Sequence, residues 1–203
     1  MIAPPLDTPV VSADAPPVGM SIDDFLRIPI ERFELIDGEI VEKMPHLPDH
    51  DESADTLMWA IKRWLDTHPL GLISKERTFV LPGTERKNWV KGSRLPDLMF
   101  IRQHRLDAYI ADHPHWRKEP FALIPDLVVE IVSENDENKD ILEKVNRYLD
   151  DGVPLVWVVD SRYRHVTIYR AEGDPITVLT DKDMLDGGDL IPGFQFAVAA
   201  LFA

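Results

Sequence analysis

The chain has no cysteine anywhere in its 203 residues. That excludes disulfides, thiolate zinc sites and a cysteine nucleophile together. No apolar run approaches the roughly 18–20 residues that a membrane-spanning helix requires, so no membrane partner is expected. The first twenty residues lack a basic start followed by an apolar stretch, so no signal peptide is expected, and a cytoplasmic location is the expectation. No Gly-rich phosphate loop, nucleophile elbow or dinucleotide fingerprint is present. Positive charge is scarce, with 22 Lys and Arg against 36 Asp and Glu, for a net charge of −14. Tight, sequence-blind coating of a nucleic acid is disfavoured at that charge, because phosphate binding needs local Lys and Arg.

What remains is ordinary globular material, 44% apolar and 29% charged, long enough for one domain with a real core. Residues 1–20, with Pro4, Pro5, Pro9, Pro16 and Pro17, read as a loose or wrapping arm ahead of a single domain over 21–203. The acidic bias reverses in one place. Between Lys75 and Arg105, the bases Lys75, Arg77, Arg86, Lys87, Lys91, Arg94, Arg102 and Arg105 outnumber the acids Glu76, Glu85 and Asp97. A solvated loop and strand edge accounts for that segment as simply as a phosphate-binding surface does.

Ser21-Ile22-Asp23-Asp24 carries an N-cap and an acidic first turn, predicting a short helix that ends before Pro29. Phe33 to Val41, with Asp37-Gly38 at its centre, predicts a β-hairpin. From Asp49 to Thr67 the positions Ala54, Leu57, Met58, Ile61, Trp64 and Leu65 recur at helical spacing. Leu72–Leu81 and Arg94–Ile101 read as strands, and 102–124 as irregular chain with one or two helical turns. Pro125–Ser133 is a nearly continuous apolar strand, followed by a helix over 138–150 and a strand over 155–160. That order is a βαβ unit. Strands over 165–170 and 176–180 and an extended tail complete an α/β domain with a mixed central β-sheet.

Two acidic residues stand out because of where they lie. Asp97 opens the run Leu98-Met99-Phe100-Ile101 after Pro96, and Glu130 sits inside Leu127-Val128-Val129-Glu130-Ile131-Val132. A buried carboxylate is costly unless it has a charged partner, a metal or a raised pKa. Two of them on neighbouring strands point to a divalent-cation site. Each also has a plainer account. Glu130 could pair with a nearby Arg or Lys, and Asp97, like Asp126, could be strand-start turn chemistry after a proline. Ile141, Leu142, Val145, Tyr148 and Leu149 form the apolar stripe of the 138–150 helix, and Lys144 borders it. An Asp140–Lys144 salt bridge on the helix flank is the plainer account of that lysine. His113-Pro114-His115 reads as a loop feature and His50 as part of a helix start.

Glu34 to Val41, Pro96-Asp97, Pro125 to Ser133, Asp140, Lys144, Tyr148, Gly152-Val153-Pro154 and Trp157 to Asp160 together resemble the Uma-type restriction endonuclease family, over roughly residues 20–170. That family lies within the PD-(D/E)xK nuclease superfamily. The resemblance implies a restriction-endonuclease-like fold, a mixed central sheet flanked by helices, with a metal site at one end of the sheet. Asp97 resembles the aspartate after proline and Glu130 the second carboxylate, the two metal ligands. The motif's lysine would stand at position 132, which is Val132 here, and Lys144 on the following helix resembles its replacement. Glu39 resembles the additional N-terminal acid, and His50 stands where the family often has a histidine. The implied cofactor is Mg²⁺ or Mn²⁺ and the implied substrate is DNA, and the edge strands of such a sheet leave room for a homodimer. The competing reading is a non-catalytic protein that keeps the nuclease fold for binding or assembly.

Overall fold

The computed structural model describes residues 17–44, 48–83, 88–133, 136–171 and 174–203; most of the expected arm, residues 1–16, lies outside the described residues. Strand β1 (Met20–Ser21) leads into helix α1 (Ile22–Leu26), where the Ser21 hydroxyl accepts the Asp24 N–H at 3.1 Å. The expected hairpin forms as β2 (Phe33–Ile36) and β3 (Glu39–Glu42). Asp37 (φ 51°) and Gly38 (φ 87°) give its turn two positive φ values, the type I′ geometry that matches strand twist. Helix α2 (Pro48–Thr67) buries Ala54, Leu57 and Ile61 completely, the face its periodicity predicted.

Two expected strands change at their ends. Over 72–81 the chain forms β4 (Gly71–Lys75) and β5 (Phe79–Pro82), broken at Glu76, which takes a left-handed φ of 47°. The strand expected over 94–101 begins only at Leu98, as β7 (Leu98–Arg102), and a separate strand, β6 (Trp89–Arg94), precedes it where no strand is expected; Leu95-Pro96-Asp97 lies between them, where proline has no N–H to give a ladder. In both cases the chain crosses from one sheet to another. The segment read as irregular contains a full helix, α3 (Gln103–Asp112), and a 3₁₀ turn at Trp116–Lys118. Only Leu106 and Tyr109 of α3 are buried, too few to give a clear helical period.

Strand β8 (Leu127–Val132), helix α4 (Asn138–Asp150) and strand β9 (Leu155–Asp160) follow as expected, with β8 and β9 parallel. Strands β10 (His165–Arg170) and β11 (Thr177–Thr180) continue the sheet. The tail folds as a small hairpin, β12 (Met184–Asp186) and β13 (Gln195–Ala197), and a 3₁₀ helix over Val198–Phe202.

The central sheet has six strands in the order β11-β10-β9-β8-β7-β4, mixed because only β8 and β9 run parallel. The second sheet is built from β1, β6, β2, β3 and β5. Leu127, Val129 and Ile131 face α2 and the C-terminal segment in one core, while Val128 and Val132 face α3 and α4 in another. This is the alternation expected of a strand covered on both faces. Within α4 the stripe is narrower than expected: Val145 and Tyr148 are buried, but Leu142 is exposed.

Candidate active site

The antiparallel register of β7 with β8 sets Leu98 opposite Val129. One step further along, Asp97 comes opposite Glu130, so the two carboxylates share a face at one end of the sheet. Both are inside the protein, Asp97 2% and Glu130 4% exposed.

Each carboxylate is fixed by donors from a different element. Oδ2 of Asp97 accepts the Ile131 N–H at 2.7 Å and lies 3.1 Å from His50 Nε2 at the start of α2. Burial alone would raise this carboxyl. The hydrogen bond and charge of His50, the charge of Lys43 and the Ile131 N–H outweigh burial and hold it below its ordinary value. Oε1 of Glu130 accepts the Tyr148 hydroxyl at 2.6 Å, and Oε2 lies 3.2 Å from Lys144 Nζ. Lys144 and Tyr148 stand four residues apart on α4, hence on one face one turn apart, and both reach down onto Glu130. The Glu130 charge raises Lys144 above the ordinary lysine value against the opposing effect of burial, with Asp97 and Asp136 adding to it. Burial first, then Glu130, Glu34 and Asp97, push the Tyr148 phenol well up, so it is a fixed donor.

The structure thus brings together Asp97, Glu130 and Lys144, and joins to them His50 and Tyr148. Glu39 stands apart, exposed on β3 opposite Ile36. The acid of that hairpin which turns inward is Glu34, 4% exposed, with Oε1 accepting the Leu95 N–H at 2.9 Å two residues before Asp97. Lys43, at the end of the same hairpin, donates to the Leu95 carbonyl at 3.1 Å. Glu34 shows the same signal as Glu130, a carboxylate inside a buried apolar strand, and could have been singled out on that ground. His50 gave no local signal, because its partner lies 47 residues away. Asp126 has its own cations: it accepts the Arg102 N–H at 2.9 Å and pairs with Arg105 at 3.0 Å.

Much of the basic segment is engaged internally. Lys75 reaches Asp51 and Asp55, and Arg94 reaches Asp151 and the Leu35 carbonyl. Arg77 lies over Trp116 and Phe121, while Arg86 and Lys87 fall outside the described residues.

Two carboxylates are the number of protein ligands that Mg²⁺ commonly takes while it keeps its waters. Among the described residues no group of three or more His, Asp or Glu side chains is gathered at metal-ligand spacing. The donors therefore fit, in kind, a hard cation held by two oxygens and solvent, and do not form an all-protein cage. No helix among the described residues is long and apolar enough to cross a membrane.

A mixed sheet flanked by helices, with paired carboxylates at one end, defines a restriction-endonuclease-like fold. The family model "Uma2: Putative restriction endonuclease" matches residues 22–199, and the chain belongs to that family. Its fold is similar to that of a solved "putative nuclease belonging to DUF820" from Anabaena variabilis, with a TM-score of 0.71 and 17% identity. The match covers 90% of this chain and 97% of that one. No curated protein matches the chain at a significant level.

Proposed function

We propose that the protein is a metal-dependent endonuclease that hydrolyses DNA phosphodiester bonds. The observation that supports this best is the juxtaposition of Asp97 and Glu130 on adjacent strands, with Lys144 at 3.2 Å from Glu130. Asp97 and Glu130 would hold one Mg²⁺ or Mn²⁺ through their oxygens. When bound, such an ion supplies a water of lowered pKa and polarises the scissile phosphate. His50 and the Ile131 N–H hold the Asp97 carboxylate in one orientation, and the Tyr148 hydroxyl does the same for Glu130. Lys144 is a cation within reach of the same site, placed to offset negative charge that grows on the phosphate. Lysine at this place on α4 substitutes for the residue that Val132 cannot be. In this reading Glu34, and not the exposed Glu39, is the additional acid beside the site.

One observation favours a second reading, a non-catalytic binding or assembly protein on the same fold. Lys75, Arg94, Arg102 and Arg105 each lie within ion-pair distance of the chain's own acids, which offsets their charge toward a phosphate backbone. Cleavage of supercoiled plasmid and of single-stranded DNA with Mg²⁺ or Mn²⁺ separates the two. Activity in the wild type that disappears in both Glu130→Ala and Lys144→Ala, with the fold intact by circular dichroism, supports the nuclease. No wild-type cleavage, together with no metal binding by calorimetry, replaces it with the binding protein.

A further inference from the structure

Lys43 is a cation beside the two carboxylates to which the reading above gives no task. It follows β3 directly, and its backbone N–H extends the hairpin ladder by donating to the Arg32 carbonyl at 3.0 Å. The hairpin is fastened to the segment that leads into Asp97. The Leu35 N–H donates to Ser93 Oγ, Arg94 donates to the Leu35 carbonyl, and Glu34 accepts the Leu95 N–H, each at 2.9 Å. Lys43 Nζ then donates to the Leu95 carbonyl at 3.1 Å, two residues before Asp97. A lysine held at both its backbone and its head keeps a fixed place relative to Asp97.

The two lysines of the site differ in what they hold. Lys144 comes from α4 and pairs with Glu130 at 3.2 Å, so its charge is offset within that pair. Lys43 comes from the hairpin, and among the described residues no carboxylate lies within ion-pair distance of it. Its acceptor is a neutral carbonyl, which takes one of its three N–H donors. Two donors and an uncompensated charge are left. That charge reaches Asp97 and helps to hold its carboxyl below the ordinary value. The plainer account is that Lys43 only ties the hairpin to Leu95. It explains the hydrogen bond but not the charge, because a half-buried ammonium without a counter-ion is costly and a neutral donor would make the same bond.

We propose that Lys43 is a phosphate-binding residue of the active site, contacting the scissile phosphodiester from the Asp97 side while Lys144 stands on the Glu130 side. The inference rests on the nuclease reading and gives it a second cation. In the hydrolysis, the oxygen of water bonds to phosphorus and the bond to one ester oxygen breaks. That oxygen leaves with the bonding pair and takes a proton, and the water gives one up. Negative charge grows on the phosphoryl and leaving oxygens, where an ammonium with two unused donors stabilises the transition state more than the ground state. Lys43 itself neither gains nor loses a proton.

The test is the salt dependence of binding, beside cleavage with Mg²⁺. Binding is read by the fluorescence anisotropy of a labelled single-stranded oligodeoxynucleotide, with Ca²⁺ in place of Mg²⁺. Each phosphate contact steepens the fall of log K with log salt by about 0.7 on a single strand. Lys43→Met keeps the stem and loses the charge, so its slope should be shallower by about 0.7 and its cleavage slower by roughly tenfold or more. Lys43→Arg should recover the slope. Lys182→Met, exposed just beyond β11, should match the wild type. An unchanged slope in Lys43→Met overturns the proposal, and with cleavage intact it leaves the nuclease reading standing. A shallower slope in a protein that cleaves nothing, wild type included, keeps Lys43 as a phosphate contact while the nuclease reading falls. Weaker binding that Lys43→Arg does not restore, with lowered thermal stability in both variants, assigns Lys43 to the fold and overturns the proposal. So does a wild type that binds no oligonucleotide.

Discussion

Strands β7 and β8 are each preceded by Pro-Asp, and because they run antiparallel the two aspartates lie at opposite ends of the same strand pair. The local sequences are nearly alike: Pro96-Asp97-Leu98-Met99 and Pro125-Asp126-Leu127-Val128. Their surroundings are not. Asp126 receives a backbone N–H and the Arg105 guanidinium, so its burial is compensated within a self-contained ion pair. Asp97 also receives a backbone N–H and a histidine, but it faces Glu130 across the ladder, and Glu130 in turn holds Lys144. One end of the strand pair is therefore closed electrostatically. The other gathers two carboxylates, which fold stability alone does not favour. These two buried carboxylates are the feature on which the nuclease reading rests.

The widest separation between the two ends should appear in activity. If the nuclease reading holds, Asp97→Ala removes a metal-holding oxygen and should lower plasmid cleavage on the order of 10²-fold or more. Asp126→Ala should leave the rate of the folded fraction nearly unchanged. Equal losses in the two variants would break the comparison. Stability should then reverse the order. Urea denaturation of Asp126→Ala, which strands the Arg102 N–H and the Arg105 cation, should show a loss of about 1–3 kcal/mol. Asp97→Asn keeps an acceptor for the Ile131 N–H and strands no arginine, so it should cost less.

How far the sequence could have foretold this contrast depends on which contacts are local. The β2–β3 turn, α2, β8, α4 and the β8–β9 crossover were legible because turn chemistry and apolar period are properties of a few adjacent residues. Asp97 and Glu130 were legible because a carboxylate in an apolar strand needs a reason. The break at Glu76 was not, since 72–81 reads as one apolar run whose two halves join different sheets, and β6 was not, since Lys91, Gly92, Ser93 and Arg94 give it no apolar run. The helix α3 was hidden by having only two buried residues. His50, Lys43 and Glu34 gained their places beside Asp97 through contacts that span the fold, which no window of sequence displays. The different fates of Asp97 and Asp126 belong to the same class: they are set by what stands across the sheet.

Tyr148 sharpens the comparison within the site. Its hydroxyl is the 2.6 Å donor to Glu130, and it is buried with no solvent to replace it. Tyr148→Phe should cost about 1.5–3 kcal/mol in denaturation, because it leaves a charged acceptor short of a donor. Mg²⁺ titration followed by thermal unfolding gives the functional half. Wild type should be stabilised by the ion, Tyr148→Phe less so, and Asp97→Ala not at all. Stabilisation of all three to the same degree would place the ion elsewhere.

The smallest effect concerns Arg162, whose contacts reach the start of α4, the helix that carries Lys144. Arg162, in the β9–β10 turn, binds Asp160 at 2.8 Å and donates to the Asp136 carbonyl at 2.7 Å and toward Asn138 Oδ1 at 3.4 Å, tying the start of α4 to the end of β9. Burial would raise the Asp160 carboxyl, but the Arg162 hydrogen bonds and charge overcome it and hold it below its ordinary 3.8. A carboxyl lowered in the folded state contributes stability above the unfolded value and loses it as pH falls through the folded one. Arg162→Gln should therefore cost about 1 kcal/mol or less near neutral pH, discounted for the solvent around the guanidinium. The two proteins should converge in stability as pH drops below 3.8. An undiminished difference in acid would mean that Arg162 acts through the Asp136 and Asn138 contacts and not through Asp160. On the nuclease reading, the same variant at neutral pH should leave the response to Mg²⁺ in place while lowering cleavage only a few-fold, since it touches the start of α4 and not the two carboxylates.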